Sequence, residues 1–348
     1  RQETPGIEAV LTAADVPGRN LYGTIPGFVD QPVFATDEKR FRGDPVAAVI
    51  GTPEAIAGFD PARFPVTWEE RPAVQEVRDA MAEGAPRLHE NHPGNVMCVG
   101  RVVHGDAAAA LEQAEVVVEG AFRTRFVEHA YIEPEAGFAR MDGDKVEVHA
   151  CTQAPVMDLE GLMDILALPR EKVRIIPTAV GGGFGAKLDL SVQPYLALGA
   201  LKTGKPVRLT YSRTESMQAT TKRHPAEMRL RIGATRDGRL SGLSFEGEFN
   251  TGAYASWGPT VANRVPVHAS GPYRVRDYRC EAAGIYTNNP PSGAFRGFGV
   301  PQAAIAQECL FDLLAEKLGM DALEFRLMNA LHNGEPTVCG QVFEQGVG

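Results

Sequence analysis

The stretch VGGGFGAK, residues 180–187, sets four glycines around a single phenylalanine where a strand-like run gives way to a helical one. KVRIIPT (172–178) before it reads as a buried strand, and SVQPYLALGALKTGK (191–205) after it has a helical pattern. Glycines at such a point let the backbone approach another group closely and leave N–H groups unhindered. The loop is therefore either a tight strand-to-helix turn or a nest for an anion or a polar cofactor atom. It is not a phosphate loop, because neither G-x-x-x-x-G-K-[ST] nor G-x-G-x-x-G fits its residues.

A second cluster, PPSGAFRGFG (290–299), lies between the strand-like RCEAAGIYT (279–287) and a helical run that Pro301 opens and Gly319 closes. Phe298, between Gly297 and Gly299, can turn its ring face to a planar guest, and Arg296 offers a fixed fork of donors. The alternative is that both phenylalanines of this cluster pack in the core. Two glycine loops of one kind, each leading into a helix, point to a single cleft approached from two sides.

Around these loops, strands and helices mix without the regular alternation of a doubly wound sheet or a barrel. PVAAVIG (45–51) followed by TPEAIAGF (52–59) reads as strand and helix in a turn-rich opening segment of about 75 residues. The polar stretch up to about residue 95 reads as a linker, residues 76–95. Beyond it, EVVVEGAFRTRF (115–126) and KVEVHA (145–150) read as strands, the second preceded by an Asp142-Gly143 turn. APVMDLEGLMDILAL (154–168) carries Met157, Leu159, Leu162, Met163 and Leu166 at helical spacing. PVRLTYS (206–212) is a strand, and EMRLRIGAT (227–235) and LSGLSFEGEF (240–249) form a hairpin through Asp237-Gly238. Asp321 can cap ALEFRLMNAL (322–331). The expected class is α+β, with a small mixed domain at 1–75 and a larger one of mixed sheets and helices at 96–348.

Composition narrows the function. The 348 residues carry a net charge of −9 with both signs interspersed, which leaves no basic stripe for nucleic acid and no polybasic membrane anchor. No apolar run reaches the ~18 residues of a membrane span, and the opening RQETPG lacks the regions of a signal peptide, so a cytoplasmic setting is expected. Cys98, Cys151, Cys280, Cys309 and Cys339 include no C-x-x-C pair, which argues against a zinc site or an iron–sulfur cluster on this chain. With no initiating Met, a fragment or one chain of a split subunit is expected.

Six stretches taken together carry a resemblance: EHAYIEPEAGFA (128–139), TQAP (152–155), VGGGFGAK (180–187), RHP (223–225), TGAYA (251–255) and AFRGFGVPQ (294–302). In this order they resemble the molybdenum-binding subunit of the molybdenum hydroxylases, the family of xanthine dehydrogenase and aldehyde oxidase, over essentially the whole chain. The resemblance implies that residues 1–75 are the later part of a hammerhead-type domain and that 96–348 is the first of two large molybdopterin-binding domains. It also implies a molybdopterin cofactor whose dithiolene holds molybdenum, so that no His/Cys ligand set is expected.

By the same resemblance Gln153 approaches an oxygen on the metal. Gly183, Phe184 and Gly185 of the first loop and Ala294, Phe295 and Arg296 of the second line the cofactor, and Phe298 stacks on the substrate. Arg264, in ANRVPVHASGPY (262–273), falls on the arginine that binds substrate and stabilises its developing negative charge. Leu188 stands where purine-oxidising members carry a glutamate, and leucine cannot hydrogen-bond a ring nitrogen.

The implied activity is oxidation of an aromatic N-heterocycle, purine- or nicotinate-like, with water as the oxygen source. An aldehyde is the alternative substrate, and a non-catalytic scaffold subunit is the alternative of another class. Iron–sulfur clusters and FAD are expected on partner chains or missing regions, together with a second molybdopterin-binding domain that carries the general base. Glu308 and Asp312 read as solvated helix charges, Glu128, Glu133 and Glu135 as structural hydrogen-bonding groups, and His129 as a core histidine.

Overall fold

The computed structural model describes residues 4–347. In the opening segment β1 (Ile7–Leu11) pairs with β4 (Ala48–Gly51), and β2 (Leu21–Tyr22) with β3 (Gln31–Pro32), all antiparallel. Thr52 then caps α1 (Pro53–Ala57) by accepting the Ala55 N–H, with Pro53 pre-set at the first helical position. This segment does not hold a core of its own among the described residues. Leu11, Val33 and Phe34 are buried in one cluster with the helices and strands of residues 139–200, and the Tyr195 hydroxyl donates to the Val33 carbonyl (3.1 Å).

Residues 76–95, expected to link two domains, are folded onto the larger body of the chain. The short helix α2 (Val77–Ala80) buries Val77 and Ala80 against Ile285, and buried Asn95 donates to the Ala80 and Pro86 carbonyls. The stretch is polar in sequence because only a few apolar side chains are needed to dock it, and most of its other residues face water.

Next in the chain come β5 (Val96–His104), α3 (Ala107–Gln113), β6 (Val116–Arg123), β7 (Ala136–Asp142), β8 (Lys145–Ala150), α4 (Pro155–Leu166) and β9 (Val173–Pro177). The second half holds α5 (Gln193–Thr203), β10 (Val207–Thr210), α6 (Arg213–Ala219), β11 (Ala226–Ala234), β12 (Leu240–Gly252), α7 (Gly258–His268), β13 (Asp277–Tyr286), α8 (Val300–Leu318) and α9 (Ala322–Asn329). Two larger sheets organise them, in the orders β10-β7-β8-β9 and β5-β13-β12-β11-β6. Both mix antiparallel with parallel pairing, the parallel pairs being β8 with β9 and β12 with β13. Expected elements recur with little displacement: β8 follows a turn at Gly143 and the β11–β12 hairpin turns at Gly238, both at positive φ, and α8 runs from Pro301 near its start to a left-handed Gly319, while β7, the hairpin partner of β8, is not expected from sequence.

Two expectations change. β9 is an edge strand and only half-buried, since its outer side has no strand to cover it. The first glycine loop enters a short 3-10 turn, Ala186–Leu188, and the α-helix begins only at Gln193. The mixed α+β class itself is as expected. Each larger sheet has its own apolar core, α4 and α5 covering the four-stranded sheet and α7 and α8 covering the five-stranded one, with α9 packed on α8.

One buried carboxyl in the first core gives a stability prediction. Asp158, in the first turn of α4, accepts from Gln193 Nε2 (3.1 Å), yet burial, with the charge of Asp189 adding to it, pushes its pKa up to about 7. A folded-state pKa above the unfolded one means that the fold favours the protonated acid. Stability is therefore given up as pH rises from the ordinary carboxyl range toward 7. Asp158→Asn keeps an acceptor for Gln193 without the charge, so its advantage over the parent should be about 3 kcal/mol larger at pH 8 than at pH 4.5. Urea unfolding at the two pH values measures this, and an advantage independent of pH would contradict it.

Candidate functional site

The two glycine loops follow strands of different sheets and meet each other. The first leaves β9 and the second leaves β13, and they are joined where the Arg296 N–H donates to the Phe184 carbonyl (2.9 Å). Both place a phenylalanine beside glycines in left-handed backbone: Phe184 at φ 53° beside Gly185 at 114°, and Phe298 at φ 46° between Gly297 at 95° and Gly299 at 88°. A left-handed non-glycine residue is strained, and two at one junction mark backbone held by its surroundings. Gly185 is required by contact as well as by φ, since a Cβ there would stand 2.6 Å from the Ala294 carbonyl oxygen.

Gln153, in the turn between β8 and α4, is bound to the first loop. Its Oε1 accepts the N–H groups of Gly185 (3.0 Å) and Lys187 (3.3 Å), which leaves the amide N–H donors without a partner among the described residues, on an exposed side chain. Gly183 allows this approach, because a Cβ there would meet Gln153 Oε1 at 2.3 Å. The loop lysine has another task. Lys187 is buried and bonds the Glu133 carboxylate (2.7 Å) and carbonyl (3.0 Å), while the same carboxylate accepts the Gly181 N–H (2.8 Å).

The second loop is held from behind by residues whose role the sequence does not show. His129 stacks on Phe295 at 4.0 Å and donates Nε2–H to the Ala294 carbonyl (2.9 Å), and burial pushes its pKa down to about 4, so the ring is neutral. Arg223, of the RHP tripeptide, lies 3.9 Å over the Phe295 ring and donates to the carbonyls of Phe295 (3.4 Å) and Arg296 (2.9 Å). The only hint in sequence is an Arg-His pair before a strand, and its partners lie about 70 residues further along the chain. Glu128 pairs with the largely buried Lys222 at 2.7 Å, and buried Glu135 accepts the Tyr131 hydroxyl. These carboxylates are structural, as expected.

Arg264 lies on α7 with its guanidinium carbon 5.3 Å from the centre of the Phe298 ring, and it makes no ion pair among the described residues. The structure thus brings together Gln153 with Gly183 and Gly185, Phe184 and Gly185 with Ala294 and Arg296, and Arg264 with Phe298. Leu188 ends the 3-10 turn, half-buried, its N–H bonded to the Gly185 carbonyl (3.2 Å). Asp312 is exposed and Glu308 partly so, solvated helix charges as expected, and Arg326 pairs with both at 2.8 Å while the Tyr273 hydroxyl donates to Glu308. An open recess of about 530 Å³, lined by Ile25, Phe28, Thr260 and Arg264 among others, shares only Arg264 with this constellation. Free donors and strained backbone converge at the loops rather than at the recess, which makes the loops the candidate site. No group of three His, Cys, Asp or Glu side chains able to hold a metal ion occurs among the described residues, all five cysteines are free thiols, and no helix is long and apolar enough to cross a membrane.

The chain is similar to known proteins over nearly its whole length. Over 345 residues the chain is 42% identical to the nicotinate dehydrogenase large molybdopterin subunit of Eubacterium barkeri, covering 99% of this chain and 80% of that one. It is 31% identical over 361 residues to the xanthine dehydrogenase molybdenum-binding subunit of Escherichia coli O157:H7, covering 99% of this chain and 47% of that one. The solved structure of the aldehyde oxidoreductase from Desulfovibrio gigas superimposes with a TM-score of 0.91 at 32% identity, over 97% of this chain and 38% of the other. The chain thus spans most of one relative and less than half of the other two. Residues 88–330, which contain both loops, Gln153 and Arg264, match the description "Molybdopterin cofactor-binding domain", and the chain belongs to that family.

Proposed function

We propose that this chain forms one wall of the active site of a molybdenum hydroxylase that oxidises an aromatic N-heterocycle, nicotinate- or purine-like, with water as the oxygen source. The observation that carries the reading is the unpaired Arg264 guanidinium set 5.3 Å over the ring of Phe298, beside two interlocked glycine loops. The loops fit a molybdopterin group. Glycines stand where a Cβ would collide with Gln153 or Ala294, and the Gln153 amide N–H donors and the Arg296 guanidinium are left free to meet the polar atoms of a ligand. Gln153, Gly183, Phe184, Gly185, Ala294, Phe295 and Arg296 would hold it, and the bound cofactor supplies the two-electron redox chemistry.

The chain's own residues do the rest. Phe298 offers a flat apolar face on which a ring can lie. Arg264, a guanidinium set against the Phe298 ring, stabilises negative charge as it develops on the heterocycle. Gln153, its carbonyl oxygen tied down by two backbone N–H groups, donates from a set position. Leu188 offers no hydrogen bond to a ring nitrogen. This disfavours strict xanthine specificity and supports a second reading, an aldehyde substrate.

We assign residues 1–75 to a hammerhead-type domain and 96–348 to the first molybdopterin-binding domain. The complete enzyme, in the cytoplasm, would add a second such domain bearing the general base, together with iron–sulfur and flavin partners. Metal analysis of the complete protein should find molybdenum and iron, with nicotinate or a purine oxidised in proportion to molybdenum. Heterocycle turnover by molybdenum-free protein would refute the proposal, and turnover of aldehydes alone would select the second reading.

A further inference from the structure

We propose that Asp189 is a positioning residue for the substrate-facing wall, acting through Ser256 and Trp257 on Phe298. The proposal rests on the reading of Phe298 as the face against which substrate lies. Asp189 directly follows the 3-10 turn that closes the first glycine loop, and it is buried. Its Oδ2 accepts the Ser256 hydroxyl at 2.7 Å.

Ser256 is itself buried and sits at φ 43°, a left-handed conformation that a serine keeps only when its surroundings impose it. Its other side faces the second loop. A Cβ at Gly293 would stand 2.4 Å from Ser256 Oγ, so the hydroxyl is wedged between the end of the first loop and the start of the second.

From that wedge the chain passes directly to Trp257, the residue before α7, whose ring stands edge-on to Phe298 at 5.7 Å and 75°. The same helix carries Arg264 to the Phe298 ring. Burial pushes the Asp189 pKa up to about 6; the indole Nε1 of Trp257 and the hydroxyl of Thr24, buried without a well-aligned partner among the described residues, lie close enough to its carboxyl to offset part of that rise. Upstream the backbone is already anchored: the Tyr254 hydroxyl donates to Asp44 (2.7 Å) and the Ala255 N–H to Asp30 (3.0 Å). The turn at Ser256 is therefore where the direction of Trp257 is set, and the Asp189 carboxylate is the group that sets it.

In the complete enzyme, Asp189→Ala and Ser256→Ala should each raise KM for a flat heterocycle such as nicotinate at least fivefold per molybdenum-loaded site, with kcat changed less than twofold. Asp189→Asn keeps an acceptor for the serine hydroxyl and should stay within twofold of the parent. The emission of Trp257, obtained as the difference between each protein and its Trp257→Phe counterpart, should move to longer wavelength in the alanine variants and stay in place in Asp189→Asn. If Asp189→Ala fails to fold, Ser256→Ala carries the same comparison. An unchanged KM or an unchanged emission in the alanine variants overturns the proposal, and so does a defect confined to melting temperature or metal content, which a merely structural role would produce. A parent enzyme that turns over no flat heterocycle sinks the functional reading instead, and the emission comparison then still decides whether Asp189 sets Trp257.

Discussion

Alanine at position 185 should separate the two glycine loops and reduce molybdenum retained per chain of the complete enzyme at least tenfold. The added Cβ would lie 2.6 Å from the Ala294 carbonyl oxygen and 2.8 Å from its carbon, both backbone atoms that no side-chain rotation can move aside. At φ 114° and ψ −26° the position is also one that L residues rarely adopt. Relief requires the first loop to retreat. That breaks the bond from the Arg296 N–H to the Phe184 carbonyl and misaligns the Gly185 N–H from Gln153 Oε1. Backbone strain and the lost contacts together should lower stability by roughly 2–4 kcal/mol. Molybdenum content and thermal unfolding of Gly185→Ala measure both parts, and full metal occupancy in the variant would show that the loop junction does not hold the cofactor.

Arg264→Ala in the complete enzyme should lower kcat/KM for a carboxyl- or oxo-bearing heterocycle by roughly 2–4 kcal/mol in barrier, about 30- to 1000-fold, the loss expected when one fixed donor to developing charge is removed. Phe298→Ala should act differently. It removes a stacking surface without touching charge, and so should weaken all flat substrates alike, chiefly in KM. Because Arg264 lies over the Phe298 ring, the double variant should lose less than the sum of the two. Leu188→Glu, by supplying a hydrogen-bonding carboxylate, should shift preference toward purines. Steady-state kinetics on nicotinate, xanthine and a simple aldehyde resolve these cases. Undiminished heterocycle turnover by Arg264→Ala, in an enzyme whose parent prefers aldehydes, would replace the heterocycle reading with the aldehyde one.

Much of the candidate site is legible in the amino-acid sequence because its requirements are local. Four glycines around Phe184 and three around Phe295 and Phe298 state that backbone passes close to something, and the structure shows what the glycines of the first loop pass: Gly181 and Gly182 pass Glu133 and Tyr131, Gly183 passes Gln153, and Gly185 passes the second loop. The supports are not legible. Arg223, His129, Asp189 and Trp257 belong to residue types found anywhere in a folded chain, and each acts on a partner far away in sequence. α7 is equally hidden. Pro266 lies inside it, where a proline ordinarily argues against helix, so the backbone that carries Arg264 to Phe298 gives no helical signal of its own.

What the chain determines by itself is therefore everything set by neighbours within a turn or two: the hairpin at Asp237-Gly238, the limits of α8 at Pro301 and Gly319, the cap at Asp321, and two loops able to take left-handed backbone. Tertiary structure alone decided that β12 and β13 lie parallel, that residues 4–75 contribute to the core of residues 139–200, and that the two loops close on each other. The physical reason is range. Capping, turn geometry and periodic burial follow from bonds spanning a few residues, whereas the contacts that assemble the site join segments whose separation along the chain carries no sign of their proximity, and packing and hydrogen bonding select them only once both sheets exist.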